Sequence, residues 1–154
     1  MANRANEILG GELGEYKFVH PNDHVNMSQS TNDTFPTATL VGCVLAVEDT
    51  LLPSLYLLEK SLKKKTKEFN KIIKVGRTHL QDATPIRLGQ EFSGYASMIS
   101  CDIKRIKNAV KECMQLPIGG TAVGTGLNTL EGFDALATSF ITEETGIEFS
   151  VCDN

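Results

Sequence analysis

The chain lacks the usual markers of secreted, membrane and nucleic-acid-binding proteins. Its four cysteines, Cys43, Cys101, Cys113 and Cys152, form no CxxC pair and have no metal-ligand spacing. That spacing supports neither a disulfide framework nor a zinc site, and leaves them as small apolar core residues of a reduced, cytoplasmic-type protein. No uninterrupted apolar run approaches the roughly 18 residues of a membrane helix and no secretory signal is present, so no membrane partner is expected. With a net charge of −4 there is no basic excess for nucleic acid, and Lys63-Lys64-Lys65 reads as the solvated end of a helix. No cluster of His, Cys, Asp and Glu suggests a ligand set, so neither a metal nor an organic cofactor is expected. Internal repeats are absent, and no two alternating strand patterns lie close enough to build a sheet.

What is present is ordinary globular material, 41% hydrophobic and 22% charged over 154 residues, enough for one core of domain size. Residues 2–9 read as a helix stopped by Gly10-Gly11, with an abrupt start that suits the interior of a longer chain. From about Thr37 to Lys67, apolar residues recur at Val41, Val44, Val47, Leu51, Leu55, Leu58 and Leu62, in steps of three or four. This predicts a long amphipathic helix that Pro53 should kink or split. Phe69, Ile72 and Ile73 extend the helical pattern towards Gly76. The same spacing returns at Leu88, Phe92, Tyr95, Ile99, Ile103, Ile106, Val110 and Cys113, the clearest helix in the chain. A shorter helix is expected from about Glu131 to Glu144, ended by Gly146, with Ile147 to Val151 extended. The fold class is therefore all-α, with helices too long for a compact globule of this size unless they pack in a bundle.

Three dense polar stretches interrupt the helices. The first runs from His20-Pro21-Asn22-Asp23-His24 through Ser28-Gln29-Ser30-Thr31-Asn32-Asp33. Here Asp33 or Thr34 could cap the helix ahead of Pro36, and amides and hydroxyls in such numbers can bind a carboxylate. The second, Gly76-Arg77-Thr78-His79-Leu80-Gln81-Asp82-Ala83-Thr84-Pro85, reads as an irregular segment with a hydroxyl beside a titratable imidazole. The third, Gly119 to Asn128, is rich in glycine and threonine. It lacks the lysine of a phosphate loop and follows no convincing strand, which argues against nucleotide binding.

In this order, the three stretches closely resemble the fumarase/aspartase family. The similarity covers essentially the whole chain but only about the middle third of a family subunit. The resemblance implies that residues 1–154 are part of a central helical-bundle domain, with the amino-terminal domain and the carboxy-terminal part lying outside this chain. It also implies a homotetramer whose active sites each draw polar regions from three subunits. The reaction implied is anti elimination from a C4 dicarboxylate to give fumarate. By position, Ser30, Thr31, Asn32 and Thr78 match the substrate-carboxylate pocket. His79 matches a residue that either holds the substrate or shares in proton transfer with a carboxylate behind it. His20, Pro21, Asn22 and Asp23 match a second, peripheral dicarboxylate site, and the Gly119–Asn128 stretch is given no direct role. The family's serine loop, GSSxMPxKxN, is not in this chain, so the 154 residues alone should be inactive.

Between the two branches, Ser30-Thr31-Asn32 resembles aspartase, whereas Asp82-Ala83-Thr84-Pro85, Phe92-Ser93-Gly94-Tyr95 and Gly119-Gly120-Thr121-Ala122 look more like fumarase. Because Thr31 sits in the pocket, aspartate ammonia-lyase is the preferred reading and fumarate hydratase the alternative. A reading of another class is a non-catalytic helical fragment whose only property is assembly through exposed apolar stripes.

Overall fold

The computed structural model describes residues 1–153. Composition suggests a single core, but contacts gather in two compact units. One is formed by residues 1–42 with 114–153, the other by Cys43–Cys113.

In the first unit, α1 (Ala2–Ile8) ends at Leu9, ahead of Gly10. The side chain of Asn6, 1% exposed, does the work of a short strand. Its Nδ2 donates to the carbonyls of Ala2 and Val19 (2.9 and 2.6 Å), while its Oδ1 accepts from Phe18 and Val19 N–H. All four of its bonding positions are used, which is what a buried amide requires. The irregular segment is thereby fastened to α1 just before His20. A single π-helical turn, Pro21–Val25, follows, and then α2 (Thr31–Ala46), whose residues up to Gly42 belong to this unit. The second half of the unit contains β3 (Gln115–Leu116), the glycine-rich loop, α5 (Phe133–Thr145) and β4 (Ser150–Val151), with β3 and β4 pairing in parallel. Leu116, Ile118 and Phe149 are its buried apolar residues there. The α5 helix ends at Gly146 in the left-handed conformation, as the sequence predicts.

The second unit begins with the end of α2. The predicted break at Pro53 takes a specific form: α2 ends at Ala46, Val47–Leu51 form a π turn in which the Leu52 N–H reaches back to the Val47 carbonyl, and α3 (Leu52–Glu68) starts with Pro53 in its first turn. Proline has no N–H to donate and its ring crowds the carbonyl four residues back, so the wider turn accommodates it. The helix α4 (Leu88–Cys113) has 26 residues and is about 39 Å long. Phe69, at the end of α3, meets Phe92 near the start of α4 at 5.0 Å between ring centres. Tyr56, early in α3, lies under the Lys107 ammonium late in α4. The two helices therefore run antiparallel. Gly89, Ala96, Ile103 and Val110, spaced by seven, are the buried residues along α4.

The structure corrects the sequence reading in four places. The Gly76–Pro85 segment is not irregular but an antiparallel hairpin, β1 (Ile73–Thr78) against β2 (Gln81–Arg87), so Ile73 ends no helix. The cap of α2 is Ser30, since Thr34 N–H donates to the Ser30 carbonyl and Asn32 N–H to its Oγ. Asp33 is the third helical residue, and Pro36 lies inside the helix. Cys43 and Cys101 carry free thiols and are exposed rather than in a core. Within the helical run Thr31–Lys71, an 18-residue window reaches a mean hydropathy of 1.5 and is 11% buried, long and apolar enough to cross a membrane by those measures. Threonine and glycine interrupt any strictly apolar run there, but their low polarity keeps the average high.

Candidate functional site

In the first unit, the polar residues converge on Asp33. Its carboxylate, 2% exposed, accepts the Ser30 N–H on Oδ1 (2.9 Å) and the Gly119 and Thr121 N–H groups on Oδ2 (3.2 and 2.9 Å). The Ser30 bond completes a capping box, cap residue to third residue, with aspartate in the acidic position. The other two join stretches 86 and 88 residues apart. Asn32 adds a parallel link, its Nδ2 donating to the Ala122 carbonyl at 3.0 Å. The glycine-rich loop is thus an anion cradle in its backbone geometry, but the anion it holds is the protein's own. Gly119 is essential to that approach: at φ +90°, a side-chain Cβ there would lie 2.6 Å from Asp134 Cβ.

Two clefts open beside this junction. One, of about 240 Å³, is lined by Asn22, Asn26, Gln29, Ser30, Thr31 and Thr34. The other, of about 590 Å³, shares Asn22, Asn26, Gln29 and Ser30 and adds Asp23, Thr121 and Asn128. Asn22, from the supposed peripheral site, therefore stands with Ser30 in both clefts, joined by Thr31 in the smaller and by Asp23 in the larger. Pro21 opens the π turn that carries Asn22 and Asp23. His20 lines neither cleft. Its Nδ1 accepts N–H groups from Asn22 and Asp23 at 3.3 Å, capping that turn. The same nitrogen lies 3.3 Å from Asp23 Oδ2. Asn26 and Gln29 were not singled out by sequence reasoning, although the amide density of their stretch pointed to them.

Thr78 and His79 belong to the second unit. Thr78 pairs with Gln81 as the last rung of the hairpin, and His79 and Leu80 form its two-residue turn with φ of 49° and 60°. Both positive angles define a type I′ turn, normally given to Asn-Gly. His79 is exposed and, among the described residues, makes no side-chain hydrogen bond. The hairpin is fixed at its other end. Lys74 Nζ meets Glu91 Oε2 at 2.5 Å, and Tyr95 donates to Glu91 Oε1 at 2.8 Å. The Lys74 hydrogen bond, helped by Tyr95, holds the Glu91 carboxyl below its ordinary range, and the hydrogen bond to Glu91 pushes the Tyr95 phenol up.

A family model described as lyase matches residues 1–154. The chain belongs to the lyase family. Among curated proteins, this lyase chain is 56% identical to a mitochondrial fumarate hydratase of Schizosaccharomyces pombe and 55% identical to a class II fumarate hydratase of Bradyrhizobium diazoefficiens. All 154 residues align, spanning 30% and 33% of those proteins, so the chain spans about a third of the length of the curated relatives it matches. Among solved structures, a class II fumarase from Schistosoma mansoni superposes with a TM-score of 0.92 at 40% identity, over 99% of this chain and 35% of that one. A fumarate lyase:delta crystallin from Brucella melitensis bound to cobalt gives 0.89 at 40% identity, over 99% of this chain and 33% of that one.

Proposed function

We propose that this chain is the central helical part of a lyase subunit that interconverts L-malate with fumarate and water. The observation that carries the reading is the Ser30-Thr31-Asn32 helix start, braced on Asp33 beside clefts of amides and hydroxyls, in a chain whose relatives are named fumarate hydratases. In the elimination, the C3–H and C2–O bonds break and C2=C3 forms, and charge builds on the carboxylate next to C3 until it is a doubly negative aci-acid. Neutral donors aimed at that carboxylate hold the bound substrate and grip it more strongly as charge develops. Ser30, Thr31, Asn32 and Thr78 are suited to that work, and His79 to holding the substrate or moving a proton. Asn22 and Asp23, with His20 and Pro21 shaping their turn, form the outer wall where a second dicarboxylate would rest.

In the sequence, the preference for aspartate rests on Thr31. The names of the relatives, together with the fumarase-like Asp82–Pro85, Phe92–Tyr95 and Gly119–Ala122 segments, favour water over ammonia as the group lost. Assembly as a homotetramer accounts for the exposed apolar residues on the helices, Leu57 and Met98 among them. Those relatives are divided between mitochondrial and bacterial proteins, and a reduced compartment of either kind suits the free thiols of Cys43, Cys101 and Cys113.

The test is fumarate absorbance with L-malate and L-aspartate. The complete subunit is expected to turn over malate and the 154-residue chain neither substrate. Preferential turnover of aspartate would restore the ammonia-lyase reading, and turnover by the short chain would refute the need for the serine loop. If neither substrate reacts with the complete subunit, only assembly, read by light scattering, would remain as its property.

A further inference from the structure

Asp33 is charged, almost wholly buried and outside the set of residues expected to touch substrate, yet every bond it makes ends on the pocket or on the loop beside it. We infer that Asp33 is the positioning residue of the carboxylate pocket, an internal anion that the Gly119 and Thr121 amides hold in place of a bound one. The inference rests on the lyase reading of Ser30–Asn32.

Three observations carry it. Oδ1 takes the N–H of Ser30, fixing the backbone on which the Ser30 and Thr31 hydroxyls are mounted. Oδ2 takes the N–H groups of Gly119 and Thr121, converging donors of the kind that bind free carboxylates and phosphates elsewhere. Asn32, the next residue back, commits its Nδ2 to Ala122 in the same loop, so the amide is oriented by the loop that Asp33 anchors. Two consequences follow. Occupied amides cannot compete with Ser30 and Thr31 for the substrate's carboxylate, so substrate is drawn to one place rather than two. Without the carboxylate, the loop amides are left unpaired beside a cleft open to solvent, and Asn32 loses its fixed orientation.

The experiment uses Asp33→Asn and Asp33→Ala in the complete subunit, with malate as substrate. Asn keeps the shape but replaces one acceptor with a donor that faces N–H groups. Ala leaves a space close to the size of formate. The expected result is a rise in KM of about tenfold or more with a smaller fall in kcat. Sodium formate should lower the KM of Asp33→Ala, while sodium chloride of equal ionic strength should not. Formate should leave Asp33→Asn, whose site is filled, unchanged. A merely structural carboxylate would lower melting temperature and activity together and give no anion-specific rescue. KM within twofold of wild type, a lack of formate rescue, or loss of the cooperative melting transition in both variants would overturn the inference. Failure of the wild-type subunit to act on malate would instead refute the functional reading, because the comparison of variants begins only from an active parent.

Discussion

In the first unit, a carboxylate that is 2% exposed binds together stretches separated by 86 and 88 residues, and the Ser30–Asn32 helix start inherits its placement from that junction. In the second unit, the Thr78–His79–Leu80 turn depends on neighbours: Thr78 on Gln81, Arg77 on Asp82, and the hairpin as a whole on Lys74 reaching Glu91. The first arrangement forms only when distant chain segments have come together, so it should respond to damage as part of a core. The second is local and solvent-facing, so it should open and close without the rest of its unit. Both carry proposed substrate-facing groups, and the difference lies in what fixes them: buried charge-assisted bonds in one case, a strained turn between exposed strands in the other.

The same substitution in both places separates the two kinds of support. Gly119→Ala puts a Cβ 2.6 Å from Asp134 Cβ and 3.1 Å from Asp134 Cα, at a φ of +90°. Left-handed strain of about 1–2 kcal/mol and overpacking of about 1–3 kcal/mol add to roughly 3 kcal/mol. For a chain of this size, that is a fall in melting temperature of about 10 °C in a calorimetric scan. Because Gly119 N–H is also an Asp33 donor, the variant should disturb the Asp33–Thr121 bond as well, seen as faster amide exchange at Thr121. A fall under about 2 °C would mean that the loop can move aside, and that the junction is not the rigid part of the first unit.

Gly76→Ala is the matching change in the hairpin. Gly76 sits opposite both Ala83 and Thr84 at a bulge, since Val75 pairs with Pro85 and Arg77 with Asp82. A Cβ there would lie 2.6 Å from the Thr84 carbonyl oxygen. The cost should be about 2 kcal/mol, but it should appear as local opening. Amides of β1 and β2 should exchange about 30-fold faster, while those of α4 around Ile103 stay protected. If α4 loses protection equally, the hairpin is part of the cooperative core, and the contrast between the two units fails.

How much of this was legible in the sequence follows the same division. Helices announced themselves by spacing: the α4 residues Ile103 and Val110, the split at Pro53 and the stop at Gly146 are all where the pattern puts them. The hairpin did not, because a two-stranded ribbon exposed on nearly every residue has no buried face to impose alternation, and its turn uses His79-Leu80 where Asn-Gly would have signalled it. Polar stretches singled out Ser30 to Asn32 as candidates, and the family resemblance implies roles for them. Asp33 could be read only as a possible cap, since the donors that occupy its second oxygen lie 86 and 88 positions away. No local pattern encodes a bond of that length. Likewise, nothing in the His20–Asp23 spacing distinguishes a ligand-binding imidazole from one that caps its own turn.

The smallest effect expected is a gain. Leu80 is 91% exposed and holds φ at 60° in a turn that disfavours branched and bulky side chains. Asparagine tolerates that conformation and retains a side chain, so Leu80→Asn removes strain without the backbone freedom that glycine would add to the unfolded chain. Since almost none of the leucine is buried, there is no apolar contact to lose. The expected gain is about 0.5–1 kcal/mol in hairpin stability, or about two- to fivefold slower amide exchange along β1 and β2, with the melting temperature of the whole chain nearly unchanged. Faster exchange would show that Leu80 is supported by contacts worth more than its strain, and the turn would then belong with the Asp33 junction as a packed element rather than a locally held one.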